Sequence, residues 1–120
     1  MDIKELTYLI NGAVFEVNKV LGPGFLEKVY ENSMMVELKK RHLKAQAQEP
    51  IKIEYKGEIV GEYFADIVVE NRIILELKAV ESLQKIHEAQ ILNYLKATDY
   101  KIGLLINFTH PKAEIKQFVM

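Results

Sequence analysis

The chain has 120 residues, of which 49% are apolar and 28% charged, a mixture typical of a folded domain and not of a disordered segment. We expect one domain over residues 1–120. The net charge of -1 excludes a basic field over the whole molecule, so a polyanion could bind only at a local patch. The absence of cysteine excludes disulfides and thiolate sites, and no apolar stretch is long enough to span a membrane. We therefore expect a cytoplasmic protein without a membrane partner.

Two helices are predicted at the start of the chain. Apolar residues recur there at gaps of three and four, which is typical of an amphipathic helix that packs on a core. These residues are Ile3, Leu6, Ile10, Ala13, Val14, Val17 and Val20. The sequence Leu21-Gly22-Pro23-Gly24 cannot continue a helix, and a second helical pattern runs from Phe25 to about His42.

Three strands are predicted next. After Pro50 the apolar period changes to two, with Ile51, Ile53 and Tyr55 alternating with charged residues. Gly57 marks a turn, and a second strand runs from about Glu58 to Val69. Residues 70–72 predict a tight connection, because Asn71 tolerates the left-handed conformation of short hairpin loops. The third strand covers residues 73–80, so the three strands form an antiparallel meander.

A third helix and a further strand complete the predicted order. Ser82 is a suitable cap for a helix that begins near Leu83 or Gln84 and ends before Asp99. We expect this helix to direct Ile86, Ala89, Leu92 and Leu95 towards the core. The apolar run from Ile102 to Phe108 predicts a buried strand, parallel to the third strand because a helix separates the two. The tail from Pro111 holds one short element of unassigned type. The order α-α-β-β-β-α-β predicts an α/β fold with a mixed central sheet flanked by helices.

Three charged residues interrupt the apolar strands. Glu76 and Lys78 project from one face of the third strand, and Asp66 lies within the second. A Glu-x-Lys sequence by itself most often forms a surface ion pair. A three-residue loop, however, places Asp66 directly opposite Glu76, and facing carboxylates are destabilising unless a cation such as Mg²⁺ lies between them. A two-residue loop would instead turn Glu76 to the other face.

The pattern Asp-x9-Glu-x-Lys on a hairpin resembles the core of the PD-(D/E)XK nuclease superfamily. The segment Gly24-Phe25-Leu26-Glu27-Lys28-Val29-Tyr30 is similar to the signature of the GxxExxY proteins, a small bacterial and archaeal branch of that superfamily. Ala65 stands where many members have a proline before the first acidic ligand, at a position that varies widely. The resemblance covers most of the chain and implies a restriction-endonuclease-like core.

The resemblance also implies roles for individual residues. Asp66, Glu76 and the Leu77 carbonyl would hold Mg²⁺, with Mn²⁺ as an alternative, and Lys78 would act on the attacking water or the phosphoryl charge. Glu27 would be a third metal carboxylate, although a glutamate in a first helical turn also suits the helix dipole.

Three further residues are candidates for support of this site. Tyr30 would either order the Glu27 carboxylate or pack in the core. Gln90 and Tyr94 lie four residues apart on one helix, and Gln-x-x-x-Tyr resembles a motif of the exonuclease domains in helicase-nuclease repair enzymes. Periodicity alone would make Tyr94 an ordinary half-buried aromatic. His87 lies one turn earlier and has no second histidine at ligand spacing.

These features together predict a Mg²⁺-dependent phosphodiesterase that acts on nucleic acid, with DNA as the expected substrate. A non-catalytic module that keeps the nuclease fold and binds nucleic acid or protein is the competing hypothesis. An enzyme for a small phosphorylated molecule is a third. A domain of this size would need a second copy or a protein partner to enclose a duplex.

Overall fold

The computed structural model describes all residues from 1 to 120 and contains three helices and five strands. In chain order these are α1 (Ile3–Leu21), α2 (Glu27–Lys40), β1 (Ala45–Tyr55), β2 (Glu58–Val69), β3 (Ile73–Lys78), α3 (Lys85–Ala97), β4 (Ile102–Asn107) and β5 (Glu114–Val119). The strands form one sheet in the order β1-β2-β3-β4-β5, with β3 and β4 parallel and the other pairs antiparallel. This confirms the predicted α/β class and mixed sheet, and the unassigned tail element is β5. None of the helices combines the length and apolar character needed to cross a membrane.

The helices cover both faces of the sheet. On one face α1 and α2 pack on β3 and β4 in the larger apolar cluster, which includes Leu6, Ile10, Met34, Leu38, Leu75 and Ile106. On the other face α3 packs on β1, β2 and β3 through Tyr94 and Leu95. Because Ile74 belongs to the α3 cluster, alternation along β3 places Glu76 and Lys78 on the α3 side of the sheet.

The hairpin between β2 and β3 has the three-residue loop on which the carboxylate argument depends. Val69 pairs with Ile73, and Glu70 and Asn71 adopt the left-handed conformation with φ of 53° and 54°. The observed pairing continues to Ile67 and Leu75 and, extended by one position, places Asp66 opposite Glu76. The predicted three-residue loop is therefore confirmed, and the predicted register is confirmed as far as Ile67 and Leu75.

Several predicted boundaries were wrong. The first strand begins at Ala45 and not at Ile51, because residues 45–50 pair with β2 despite their alanine, glutamine and proline content. The second helix covers Glu27–Lys40, shorter by two residues at each end than predicted. The third strand ends at Lys78 and β4 at Asn107, so the predicted ends at Val80 and Phe108 were too late.

The buried face of α3 also differs from the prediction. Its N-cap is Gln84 and not Ser82, and its buried residues are Ile91, Tyr94 and Leu95. Of the predicted core residues, only Leu95 is buried; Ile86 is 69% exposed, and Ala89 and Leu92 are also exposed. On α1 only the last residue of the predicted stripe, Val20, is exposed while the central residues are buried.

Candidate active site

Asp66 and Glu76 lie where the pairing between β2 and β3 ends. Beyond the Ile67–Leu75 pair, hydrogen bonds from backbone amides to the Asp66 and Glu76 side chains connect the two strands in place of backbone–backbone bonds. The Leu77 amide donates to Asp66 Oδ2 at 2.8 Å, and the Asp66 amide donates to Glu76 Oε1 at 3.2 Å. The two carboxyl groups are thus fixed by each other's strand, which brings them together as the sequence analysis predicted.

The alternation of β2 breaks at Asp66. Ala65 and Val68 both pack in the α3 cluster, although three positions separate them, whereas Ile67 packs in the α1 and α2 cluster. On the neighbouring strand Gln48 has a φ of 56° and interrupts the pairing between Ala47–Ile67 and Glu49–Ala65. This irregularity turns the Asp66 carboxyl along the sheet towards β3, where the Leu77 amide binds it.

Burial and proximity raise the pKa of both carboxyl groups. Burial raises the pKa of Glu76 to about 8, and the charge of Asp66 adds to this rise. Burial also raises the pKa of Asp66, which the Leu77 hydrogen bond opposes, while the charge of Glu31 raises it further. Glu76 is only 4% exposed. The pair therefore retains a proton near neutral pH unless a cation neutralises the second charge.

Lys78 lies on the same face as Glu76 and is half-buried. Its charge lowers the pKa of both Asp66 and Glu76, although burial outweighs this effect. The three ion pairs of the chain are Lys28–Glu31, Arg41–Glu37 and Lys116–Glu88, so the Lys78 ammonium is not committed to a structural salt bridge. It is available to interact with a bound anion.

The carboxylate of α2 that is buried near Asp66 is Glu31, which the sequence analysis did not single out. Glu31 is 5% exposed and accepts hydrogen bonds from Lys28 Nζ and Gln48 Nε2, each at 2.7 Å. Glu27 is exposed, and its charge raises the pKa of Asp66 less than that of Glu31 does. No three acidic or histidine side chains form a group that could hold a metal ion. The structure thus joins Asp66 with Glu76 but does not add Glu27 to them.

Tyr30 is fully buried and contacts the turn before α2. Its hydroxyl donates to the Gly22 carbonyl at 2.6 Å and accepts from the Phe25 amide at 3.4 Å. Its ring stacks on Phe108 with centroids 4.5 Å apart. The observed partners of Tyr30 therefore belong to the core and the turn and do not include the Glu27 carboxylate.

Gln90 and Tyr94 form a hydrogen-bonded pair beside the carboxylates. Gln90 Nε2 donates to the Tyr94 hydroxyl at 2.9 Å. Burial raises the pKa of Tyr94, and the nearby charge of Glu76 raises it further. His87 has a different role, because its Nδ1 accepts the Gln84 amide at 3.0 Å and caps α3.

Asn107 is a second residue that the sequence analysis missed. It is fully buried, its Oδ1 accepts the Val80 amide, and its Nδ2 donates to the Val80 carbonyl, both at 2.9 Å. The Phe108 amide also donates to the Lys78 carbonyl. These bonds hold the segment that follows Lys78, and a lone asparagine at the end of a predicted strand gave no signal of this function.

A groove of about 1100 Å³ lies next to the carboxylates. One wall is the part of the β1–β2 hairpin that extends beyond β3, residues 50–64, which we call the arm. The other wall is the exposed side of α3. Asp66, Glu76 and Lys78 are not among the lining residues. Tyr94 connects the groove with the carboxylates, because it lines the groove and packs in the same cluster as Ala65, the neighbour of Asp66, and Ile74, two residues before Glu76.

Comparison with known proteins identifies the family. A family model of the PD-(D/E)XK nuclease superfamily matches residues 4–118. The chain belongs to this superfamily. The matched residues include the hairpin with Asp66 and Glu76, and Lys78.

The solved structures support the same fold. The crystal structure of SSO0001 is similar to the chain with a TM-score of 0.61 and 18% sequence identity. The match covers 77% of this chain and 48% of that one, so the chain spans about half the length of its solved relative. No curated protein sequence matches the chain.

The superfamily to which the chain belongs is one of nucleases. Nucleases of this superfamily generally depend on a divalent metal ion, and the donor set of this chain fits one. Asp66 and Glu76 offer hard oxygen ligands, and burial, together with the charge of Asp66, raises the pKa of Glu76. A bound cation would relieve both effects.

Proposed function

We propose that the chain is a metal-dependent nuclease that hydrolyses phosphodiester bonds of nucleic acid, with DNA as the expected substrate. The observation that carries the proposal is the pair of the half-buried Asp66 and the buried Glu76, with the unpaired ammonium of Lys78 on the same side of the sheet as Glu76. We assign the chain to the GxxExxY branch from Gly24, Glu27 and Tyr30. Residues 1–120 form a single domain in this proposal.

Asp66, Glu76 and the Leu77 carbonyl would hold Mg²⁺ or Mn²⁺ at the point where β2 and β3 separate. A divalent cation supplies Lewis acidity and a lowered pKa for a coordinated water. We place Glu31 ahead of Glu27 as the carboxylate of α2 that supports this site, because Glu31 is the buried one of the two and the stronger influence on Asp66.

Lys78 orients the attacking water and neutralises charge that develops on the phosphoryl oxygens. The Gln90–Tyr94 pair presents its polar groups to the backbone of the substrate beside this point. Lys78, Gln90 and Tyr94 all lie on the α3 side of the sheet.

A cleavage assay with Lys78→Ala tests the proposal. Single-stranded, duplex and branched DNA and RNA are incubated with wild type and variant in Mg²⁺ or Mn²⁺, and metal binding is titrated in parallel. We expect Lys78→Ala to lower the cleavage rate by about 10²- to 10⁴-fold while metal affinity is unchanged or higher. Lys4→Ala, which removes an exposed lysine of α1, is the matched control. Wild-type activity in Lys78→Ala would contradict this role.

A non-catalytic binding module is the second candidate function. The observation that favours it is that no third acidic or histidine ligand joins Asp66 and Glu76. The same assay separates the two candidates, because a binding module cleaves none of the substrates.

A further inference from the structure

We propose that the groove between the arm and α3 carries an unpaired nucleic-acid strand to the carboxylate site; the inference rests on the proposed function. The first argument is position. Gln90 and Tyr94 line the groove, and Tyr94 is close enough to Glu76 for that charge to affect its pKa. Tyr94 also packs with Ala65 and Ile74, which lie on the two strands that carry Asp66 and Glu76. A chain lying in the groove therefore passes Tyr94, the lining residue that adjoins the carboxylate site.

The second argument is the chemistry of the walls. Tyr63 is 52% exposed, and its ring lies against that of Tyr94 with centroids 5.6 Å apart, so one side of Tyr63 is open to the groove. Half of the lining residues are apolar, including the exposed Ile86. Apolar and aromatic walls suit the faces of unstacked bases, which a paired duplex keeps inside.

The third argument is charge. The charged residues of the lining are Lys52, Glu54 and Lys96, so only two cations are available for phosphates. A duplex held by its backbone generally needs several such contacts, whereas a single strand combines a few of them with base stacking.

Binding is tested by fluorescence anisotropy with the full chain in EDTA, so that no hydrolysis occurs. The probes are a labelled single-stranded DNA, the single-stranded RNA of the same sequence and the blunt DNA duplex. We expect both single strands to bind more tightly than the duplex, and the ratio of the two affinities identifies the source of the strand. Equal or tighter binding of the duplex, or no binding of any probe, would overturn the proposal.

Substitutions then locate the strand. Tyr63→Ala should weaken single-strand binding by about 5- to 150-fold, the range expected for one lost base stack, whereas Tyr63→Phe should bind as wild type does. Tyr8→Ala removes an exposed tyrosine from α1, on the opposite side of the sheet, and should have no effect. Unchanged affinity in Tyr63→Ala would overturn the proposal.

The salt dependence provides an independent measure. Two phosphate contacts predict a slope of log affinity against log salt of about -1.4 for a single strand, and Lys96→Ala should reduce its size by about 0.7. Lys4→Ala should leave the slope unchanged, and an unchanged slope in Lys96→Ala would contradict the path. If binding depends on Tyr63 but nothing is cleaved, the groove is confirmed and the proposed hydrolysis is wrong. If cleavage is intact in Tyr63→Ala, the hydrolysis stands and the groove assignment is wrong.

Discussion

Glu27 and Glu31 lie one turn apart on α2 but differ in burial and partners. Because Glu31 is buried with its carboxylate held by Lys28 and Gln48, we expect Glu31→Gln to lower metal affinity by roughly 10- to 100-fold. Glu27→Gln should change it by much less, because Glu27 is exposed. Isothermal titration with Mg²⁺ or Mn²⁺ measures both variants. Lys28→Ala removes the ion pair but keeps the carboxylate, so it is the control for lost packing; a larger loss in Glu27→Gln would reverse the assignment.

The role of Glu31 could not be predicted from the sequence. Both glutamates lie on the same side of a helix, and the GxxExxY signature draws attention to Glu27. The burial of Glu31 depends on Gln48, which reaches it from an irregular position of β1. Residues 45–50 carry no strand pattern, so nothing in the sequence placed Gln48 near α2. Asp66 and Glu76, by contrast, were predictable because strand alternation and a short loop are both local features.

The stability of the metal-free protein should fall as pH rises. The folded-state pKa of Glu76, about 8, lies above its ordinary value of 4.5, so the folded protein retains a proton that the unfolded chain has lost. The stabilising effect is therefore complete below about pH 4.5 and is lost by about pH 8. We expect the thermal midpoint in EDTA to fall by on the order of 10–20 °C over this range.

Glu76→Gln is the control for this pH dependence. Glutamine is uncharged at every pH, so the variant should lose most of the fall that is seen in wild type. Excess Mg²⁺ should also reduce it, because a cation stabilises the ionised pair. A midpoint that rises with pH in metal-free wild type would contradict the raised pKa.

At the level of elements, Tyr30 determines how α2 begins. It joins the turn at Gly22 and Phe25 to the core by two hydrogen bonds and a ring stack on Phe108. Tyr30→Phe keeps the stack and removes the bonds, so we expect a loss of about 1–2 kcal/mol in the free energy of unfolding. Metal affinity should be unchanged, since the hydroxyl has no carboxylate partner. Urea unfolding and metal titration measure the two effects, and a large loss of metal affinity would assign Tyr30 to the site.

The element that the sequence predicted least well is α3. Its apolar residues are compatible with two faces, and the choice depends on how closely the helix approaches the sheet. Gly103 of β4 lies so near that a Cβ there would be 2.8 Å from Ile91 Cδ1. The missing side chain lets Ile91 pack on the sheet, so Ile91, Tyr94 and Leu95 are buried and Ile86 faces the groove. Helical periodicity alone does not show that a glycine in the next element of the chain selects the face.

At the scale of the whole molecule, both helical layers share the same strands. β2 and β3 provide Ile67 and Leu75 to one cluster and Val68 and Ile74 to the other. If β2 and β3 unfold, the helices on both faces of the sheet lose the surface on which they pack. We therefore expect a single cooperative unfolding transition. Circular dichroism and tyrosine fluorescence should give the same midpoint in urea. Two separate midpoints would show that residues 1–120 do not form one domain.

The predicted fold class was correct because each element has its own pattern and a helix between strands favours parallel pairing. The groove was not predictable in the same way. It exists because β2 has 12 residues and β3 has 6, so that half of the β1–β2 hairpin extends past its neighbour. How far a strand extends past its neighbour depends on tertiary structure and not on local sequence. Tyr63 and Ile53 have the same alternating pattern whether or not a third strand lies beside them.

The raised pKa of Glu76 has a consequence for how the proposed metal site would take up an ion. Because the cation and the proton compete for the same oxygens, uptake of the metal is an exchange reaction that releases acid into the solution. Below about pH 8 the apparent metal affinity then rises by as much as tenfold per pH unit. The heat of metal binding includes the ionisation heat of the buffer that accepts the proton. If the proposed metal site is correct, its occupancy therefore depends on pH as well as on the concentration of the metal.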